Sequence, residues 1–167
     1  MKVYEIPRDA KRVEDLHCAE RPEPKPGPYD VLVRLRAVAL NYRDHAILTG
    51  KYRYNLDHST IACSDGAGEV VAVGSAVTRF RPGDHVIPTF FQIWINGEPP
   101  KNRAALGAPL DGTLAEFVSL HEDGWVANGH GSGGGAVWNA GTSGGEEAEG
   151  ISLPGDSRGA VDISVLP

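Results

Sequence analysis

The sequence predicts a mainly β (α+β) fold, a partly closed barrel of short strands with few short helices. Three observations predict it. Several short runs alternate apolar and polar residues with a period of two, proline- and glycine-bearing turns separate them, and only one short segment reads as helical.

Met1–Ile6 alternates as a strand does, and 15–21 reads as an edge or loop. RPEPKPGPY (21–29) carries four prolines, so it is extended and turn-rich. DVLVRLRAVAL (30–40) sets Val31, Val33, Leu35 and Ala37 against Leu32, Arg34 and Arg36, the pattern of a half-buried strand. Residues 42–49 allow one or two helical turns, which Gly50 would end. CSDGAGEVVAV (63–73) is a further strand, 74–77 and FRPGD (80–84) are turns, and 85–91 resumes a strand. Residues 92–109 form a long polar loop, and TLAEFVSL (113–120) is another short strand.

The 167 residues suit one domain, and the net charge of −6 offers no basic surface to nucleic acid or to an anionic membrane. No apolar run approaches the roughly 20 residues of a membrane span, and the N-terminus has no apolar signal core; a cytoplasmic location is expected. Two cysteines, Cys18 and Cys63, lack Cys-x-x-Cys spacing, so a structural zinc lobe is excluded and two free thiols are expected. The composition breaks near residue 124. Of 21 glycines, 10 lie in residues 1–124 and the rest in the final stretch. Residues 1–124 are therefore expected to form the barrel domain. Residues 125–167 are expected to be a glycine-rich, irregular, largely disordered tail, with no nucleotide-binding sheet and no phosphate role for 131–135. Loss of the reading frame or truncation near Asp123 is one origin for this break, and the other frames of the coding DNA test it.

Four stretches in this order carry a family resemblance: PKPGPYDVLVRLRAVAL from Pro24, NYRDHAILTGKY from Asn41, CSDGAGEVVAVGSAVTRFRPGDHV from Cys63 and GTLAEFVSL from Gly112. Together they resemble the N-terminal, GroES-like domain of the medium-chain dehydrogenases/reductases, most closely a zinc-free, quinone-reductase-related subgroup. The resemblance covers roughly residues 1–124. Zinc members place a cysteine and then a His-Glu pair around a catalytic metal. Here Asn41 takes the cysteine position and Ser64 and Asp65 stand where His-Glu would be, with Cys63 beside the ligand position. An amide and a hydroxyl are poor zinc ligands, so no metal is expected. The six histidines show no paired spacing and read as solvated or capping groups; His45, next to Asp44, is a minor catalytic candidate.

The resemblance implies an NAD(P)(H)-linked hydride transfer to or from a carbonyl, alcohol, quinone or enone, in a cleft between this barrel and a nucleotide-binding domain. It implies that Asn41, Tyr42, Arg43 and Asp44 face that cleft. Asn41 would donate a hydrogen bond to the substrate carbonyl or the nicotinamide amide, and Arg43 would pair with a cofactor phosphate. Asp44 would orient Arg43 or cap the short helix. Tyr52 would hydrogen-bond the substrate oxygen or pack at the barrel rim. Phe90, Phe91 and Trp94 would line a pocket or fill the core. NAD(P)H is the cofactor of the intact parent, and the chain alone is expected to hold none tightly and to be inactive. Apolar surface left uncovered would favour homo-oligomers. Two other readings stand beside this: a non-catalytic GroES-like scaffold module, and a fragment of a zinc-dependent alcohol dehydrogenase.

Overall fold

The computed structural model describes residues 1–52, 56–101 and 104–128, together with the backbone of 160–162. It is mainly β, with one short helix and two 3₁₀ turns. The order is β1 (Lys2–Ile6), a 3₁₀ turn (Val13–Asp15), β2 (His17–Glu20), β3 (Asp30–Ala39), α1 (Tyr42–Leu48), β4 (Thr60–Ile61), β5 (Asp65–Val73), β6 (His85–Pro88), β7 (Phe117–His121), a second 3₁₀ turn (Glu122–Gly124), β8 (Trp125–Ala127) and β9 (Ala160–Asp162). No helix among the described residues is long and apolar enough to cross a membrane.

The strands form two sheets. A small one runs β2-β1-β4, and a larger, curled half-barrel runs β7-β3-β5-β6-β8, with β9 paired to β3. All pairings within these sheets are antiparallel. The segment 112–115 joins the sheets: Tyr4 N–H donates to the Leu114 carbonyl (2.9 Å), Gly112 N–H to that of Ile61 (2.9 Å) and Leu114 N–H to that of Ala62 (3.0 Å). Val3, Ile6, Val31, Val33, Leu35, Val70, Val86, Leu114, Val118 and Trp125 fill the space between.

β3 shows how local sequence becomes packing. Arg34 and Arg36 are exposed and Val31, Val33 and Leu35 buried as the alternation predicts, but Leu32, set on the polar face by that alternation, is buried as well. The phase then changes: Ala37 is half-buried and Val38 buried. The pairing with β5 slips between Leu35 and Ala37, and an irregularity of that kind moves the inward face by one residue. Strict alternation through Ala37 is therefore corrected by this slip. Gly68 is required beside β3, because a Cβ there would lie 2.6 Å from Val33 Cγ1 and closer still to the Arg34 carbonyl.

Three strands were not expected. β4 is two residues long, too short for periodicity to register. β8 lies past the compositional break at 124 and carries the fully buried Trp125, so ordered sheet continues at least to Ala127. β9 falls within the expected tail. The rest of that tail, including 131–135, lies outside the described residues, as do 53–55. The expected strand 63–73 begins at Asp65, and the strand 85–91 ends at Pro88. The loop 92–109 is not wholly a surface loop: Ala105, Leu106 and Ala108 are buried. Cys18 is exposed and Cys63 buried, both as free thiols.

Candidate functional site

The site forms where β3 gives way to α1 beside the entrance of β5. Asn41 has an extended backbone and caps α1: Asp44 N–H donates to the Asn41 carbonyl (3.0 Å), and the Asp44 carboxylate accepts from Asn41 N–H (2.8 Å). Gly50, at φ +68°, follows the helix. Because the backbone makes this cap, the Asn41 amide is turned elsewhere. Its Nδ2 donates to Asp65 Oδ2 at 2.7 Å, and Ser64 Oγ donates to Asp65 Oδ1 at 3.3 Å. Asn41, Ser64 and Asp65 are thus brought together into one hydrogen-bonded set.

Cys63, just before them, holds φ +67°, an uncommon conformation for a side-chain-bearing residue. Thr113 N–H donates to its carbonyl (3.1 Å), and Thr113 Oγ1 donates to the Asp65 carbonyl (3.0 Å). The backbones of Gly107 and Gly112 press against the same Cys63 carbonyl; a Cβ on Gly107 would lie 2.6 Å from it. Burial pushes the Cys63 thiol far above its usual pKa, and the nearby Asp44 and Asp65 carboxylates push the same way. Such surroundings disfavour the thiolate. A zinc ion does not fit this donor set, which offers a buried thiol, an amide already paired to a carboxylate, and a hydroxyl.

Arg43 is committed within the chain. Nη1 donates to the Leu106 carbonyl (2.9 Å) and Nη2 to the Ala108 carbonyl (2.6 Å), while the guanidinium lies 4.9 Å from the Phe90 ring centre and 5.3 Å from that of Tyr52. Its Nε is buried with no hydrogen-bond partner among the described residues. Arg43 therefore gathers Phe90, Tyr52 and the buried end of the 92–109 segment around α1. Phe91 packs edge-on against Phe90 (4.6 Å) and lies 5.8 Å from Trp94. Tyr42 is 77% exposed, its ring 6.0 Å from that of His45. Tyr52 is 41% exposed and borders an open pocket of about 790 Å³, lined also by Ile6, Arg8, Lys11 and Ile47. The structure thus sets a half-buried to buried group of polar side chains bonded within the chain (Asn41, Arg43, Asp44, Asp65) beside two exposed phenols.

Sequence reasoning missed the partners of Arg43, which lie 63 and 65 residues away. It also missed Glu122, a buried carboxylate accepting from the N–H groups of Thr78 (3.0 Å) and Arg79 (2.9 Å), which hold it below its usual pKa. Nothing in the local sequence marks either contact.

Asp44 is 4% exposed, and its Oδ1 is buried with no hydrogen-bond partner among the described residues. Burial raises its pKa, against the opposing pull of the Asn41 N–H and Arg43. A carboxyl with a raised folded-state pKa favours folding most below its unfolded value, here about 3.8, and that contribution is lost as pH rises through the folded value. The difference in unfolding free energy between wild type and Asp44→Asn should therefore fall as pH rises from about 4 through the weakly acidic range, because the amide does not titrate. Urea titrations across that range measure it, and a flat or rising difference would show the carboxyl is not strained by burial.

Residues 27–128 match the family model described as the alcohol dehydrogenase GroES-like domain. A zinc-type alcohol dehydrogenase-like protein of Schizosaccharomyces pombe is 39% identical over 98 residues, covering 58% of this chain and 28% of that protein. A quinone oxidoreductase of Pseudomonas aeruginosa is 50% identical over 62 residues, 37% of this chain and 19% of that protein. Among solved structures, an NAD-dependent alcohol dehydrogenase aligns with TM-score 0.69 and 32% identity, covering 77% of this chain and 39% of that one. The chain spans less than a third of the length of these two curated relatives. The match over most of the barrel, with the sheet order described above, shows that the chain belongs to the GroES-like domain family of the medium-chain alcohol dehydrogenases and quinone oxidoreductases.

Proposed function

We propose that this chain is the substrate-side lobe of a zinc-independent NAD(P)-linked oxidoreductase acting on a small carbonyl, alcohol, quinone or enone. The observation that carries the reading is the hydrogen bond from Asn41 to Asp65, which closes the position where zinc members of the family set a metal ligand. In this reading Asn41, oriented by Asp65, and Tyr52 are the groups that meet the substrate oxygen. Tyr42, exposed beside the start of α1, is the contact toward the cofactor. A cofactor phosphate would reach Arg43 only by displacing the Leu106 and Ala108 carbonyls, so Arg43 and Asp44 serve the site by holding its shape. NAD(P)H supplies hydride when a nucleotide-binding lobe presents it. The barrel's part is to orient the substrate and polarise its oxygen. Exposed Leu40, Tyr42, Ile93 and Ile95 offer apolar contact for such a lobe.

The test joins residues 1–128 to the nucleotide-binding domain of the Pseudomonas aeruginosa quinone oxidoreductase. Expected is NAD(P)H-dependent reduction of quinones or enones that chelators leave unchanged, with no zinc in the purified protein. The chain by itself should show no saturable NADPH binding in a calorimetric titration. One bound zinc per chain, with activity lost on chelation, would instead favour the zinc-dependent alcohol dehydrogenase reading, which the name of the Schizosaccharomyces pombe relative supports.

A further inference from the structure

The pocket beside Tyr52 is walled in part by the segment that follows β1. Ala10 N–H donates to the Pro7 carbonyl (3.1 Å), closing a turn through Arg8 and Asp9. The Asp15 carboxylate accepts from the N–H groups of Lys11 (2.8 Å) and Arg12 (2.9 Å). The backbone that carries Arg8 and Lys11 is thus tied at both ends. Ile6, Ala10 and Ile47, all buried, give the pocket an apolar lining. Lys11 runs along Gly50: a Cβ there would lie 3.7 Å from its Cδ and 3.8 Å from its Nζ. The carbonyls of His45, Ala46 and Ile47 already accept backbone N–H groups from 49–52, so they leave the ammonium no capping role. Elsewhere Arg12, Arg21, Arg36, Arg79 and Arg81 pair with carboxylates. The Arg8 and Lys11 side chains, both exposed, have no hydrogen bond or ion pair among the described residues. Asp57 lines the pocket and pairs with neither, while Asp9 is not part of the lining.

We propose that this pocket binds the anionic end of a small organic molecule, a carboxylate or a phosphate monoester, with Arg8 and Lys11 as its partners. An anion reached by both side chains gains charge-assisted hydrogen bonds, and the apolar lining holds the rest of the molecule. The volume of about 790 Å³ suits a small ligand. A molecule charged at both ends would meet Asp57, so a single anionic end is selected. Tyr52 borders the same pocket. That the ligand is the substrate, a carbonyl or alcohol compound with an acidic tail, rests on the oxidoreductase reading; the pocket itself does not.

Backbone amide NMR titrations of the full chain at constant ionic strength test it, with benzoate, phenyl phosphate and the uncharged benzyl alcohol as probes. Benzoate, phenyl phosphate or both should give saturable shifts at the amides of Arg8, Ala10, Lys11, Ile47 and Gly50, and benzyl alcohol none. Saturation by one anion alone assigns the site to carboxylates or to phosphates. Arg8→Gln with Lys11→Gln should weaken binding by about tenfold or more, and Asp57→Asn should tighten it by about twofold. Because Arg8 and Lys11 are exposed, the melting temperature of the double variant should stay within about 2 °C of wild type. Shifts that fail to saturate by about 20 mM, equal saturation by benzyl alcohol, or undiminished binding in the double variant would each overturn the proposal. No cofactor or turnover enters the readout. Failure here therefore leaves the oxidoreductase reading standing, and an inactive fusion protein leaves the pocket standing.

Discussion

Trp125→Ala should destabilise the protein by about 3–5 kcal/mol, lowering its melting temperature by roughly 10–20 °C. Trp125 has 0% exposure and belongs to the core shared by both sheets. It opens β8 opposite Pro88 of β6, at the end of the half-barrel. Removing the indole leaves a cavity in a close-packed core held between two paired sheets, so collapse around it is limited. Because the indole Nε1 is buried with no partner among the described residues, Trp125→Phe removes that donor along with part of the ring. It should cost clearly less than the alanine variant. Urea denaturation of the three proteins measures both effects. A loss below about 1 kcal/mol for Trp125→Ala would show that the core ends before residue 125.

Arg43→Ala should cost about 2–4 kcal/mol, through two buried carbonyls left without their charged donor and the loss of contact with the Phe90 and Tyr52 rings. Relief of the buried Nε offsets a small part. Arg43→Lys keeps the charge but cannot span two carbonyls with a planar fork, so it should recover less than half of the loss. Exchange of the amides in 104–110 should quicken in both variants. If Arg43 is instead free for a phosphate, neither stability nor exchange in that segment will change, and the loss will appear only in cofactor affinity.

These two residues mark where the sequence was legible and where it was not. β1, β3, β5 and α1 announce themselves because their signals are local: a period of two in Val31, Val33 and Leu35, and an Asx residue followed by an acid three places on in Asn41 and Asp44. The family resemblance located the site for the same reason, since its residues lie in one contiguous stretch. Trp125 sits four residues before Gly129, the first glycine of the glycine-rich stretch, and its burial depends on β6, some forty residues upstream. Arg43 read as a free cation because the carbonyls that hold it belong to a segment whose composition suggests a polar loop. Slippage within β3 escaped notice because a register shift is a property of a pair of strands, and neither strand carries its signature alone.

The first strand is seated by the far end of the barrel. Lys2 N–H donates to a Glu116 carboxylate oxygen (2.7 Å), Tyr4 N–H to the Leu114 carbonyl (2.9 Å), and Val3 bridges Ala115. During synthesis at about 5–20 residues per second, a ribosome makes those partners roughly 5–25 s after β1. β2 and β4 are made earlier and can pair with β1, but the contacts that Val3 and Tyr4 make with 114–115 must wait for that whole interval. The strand made first waits longest for its last partners, so the newborn N-terminus is where a chaperone has the longest time to act.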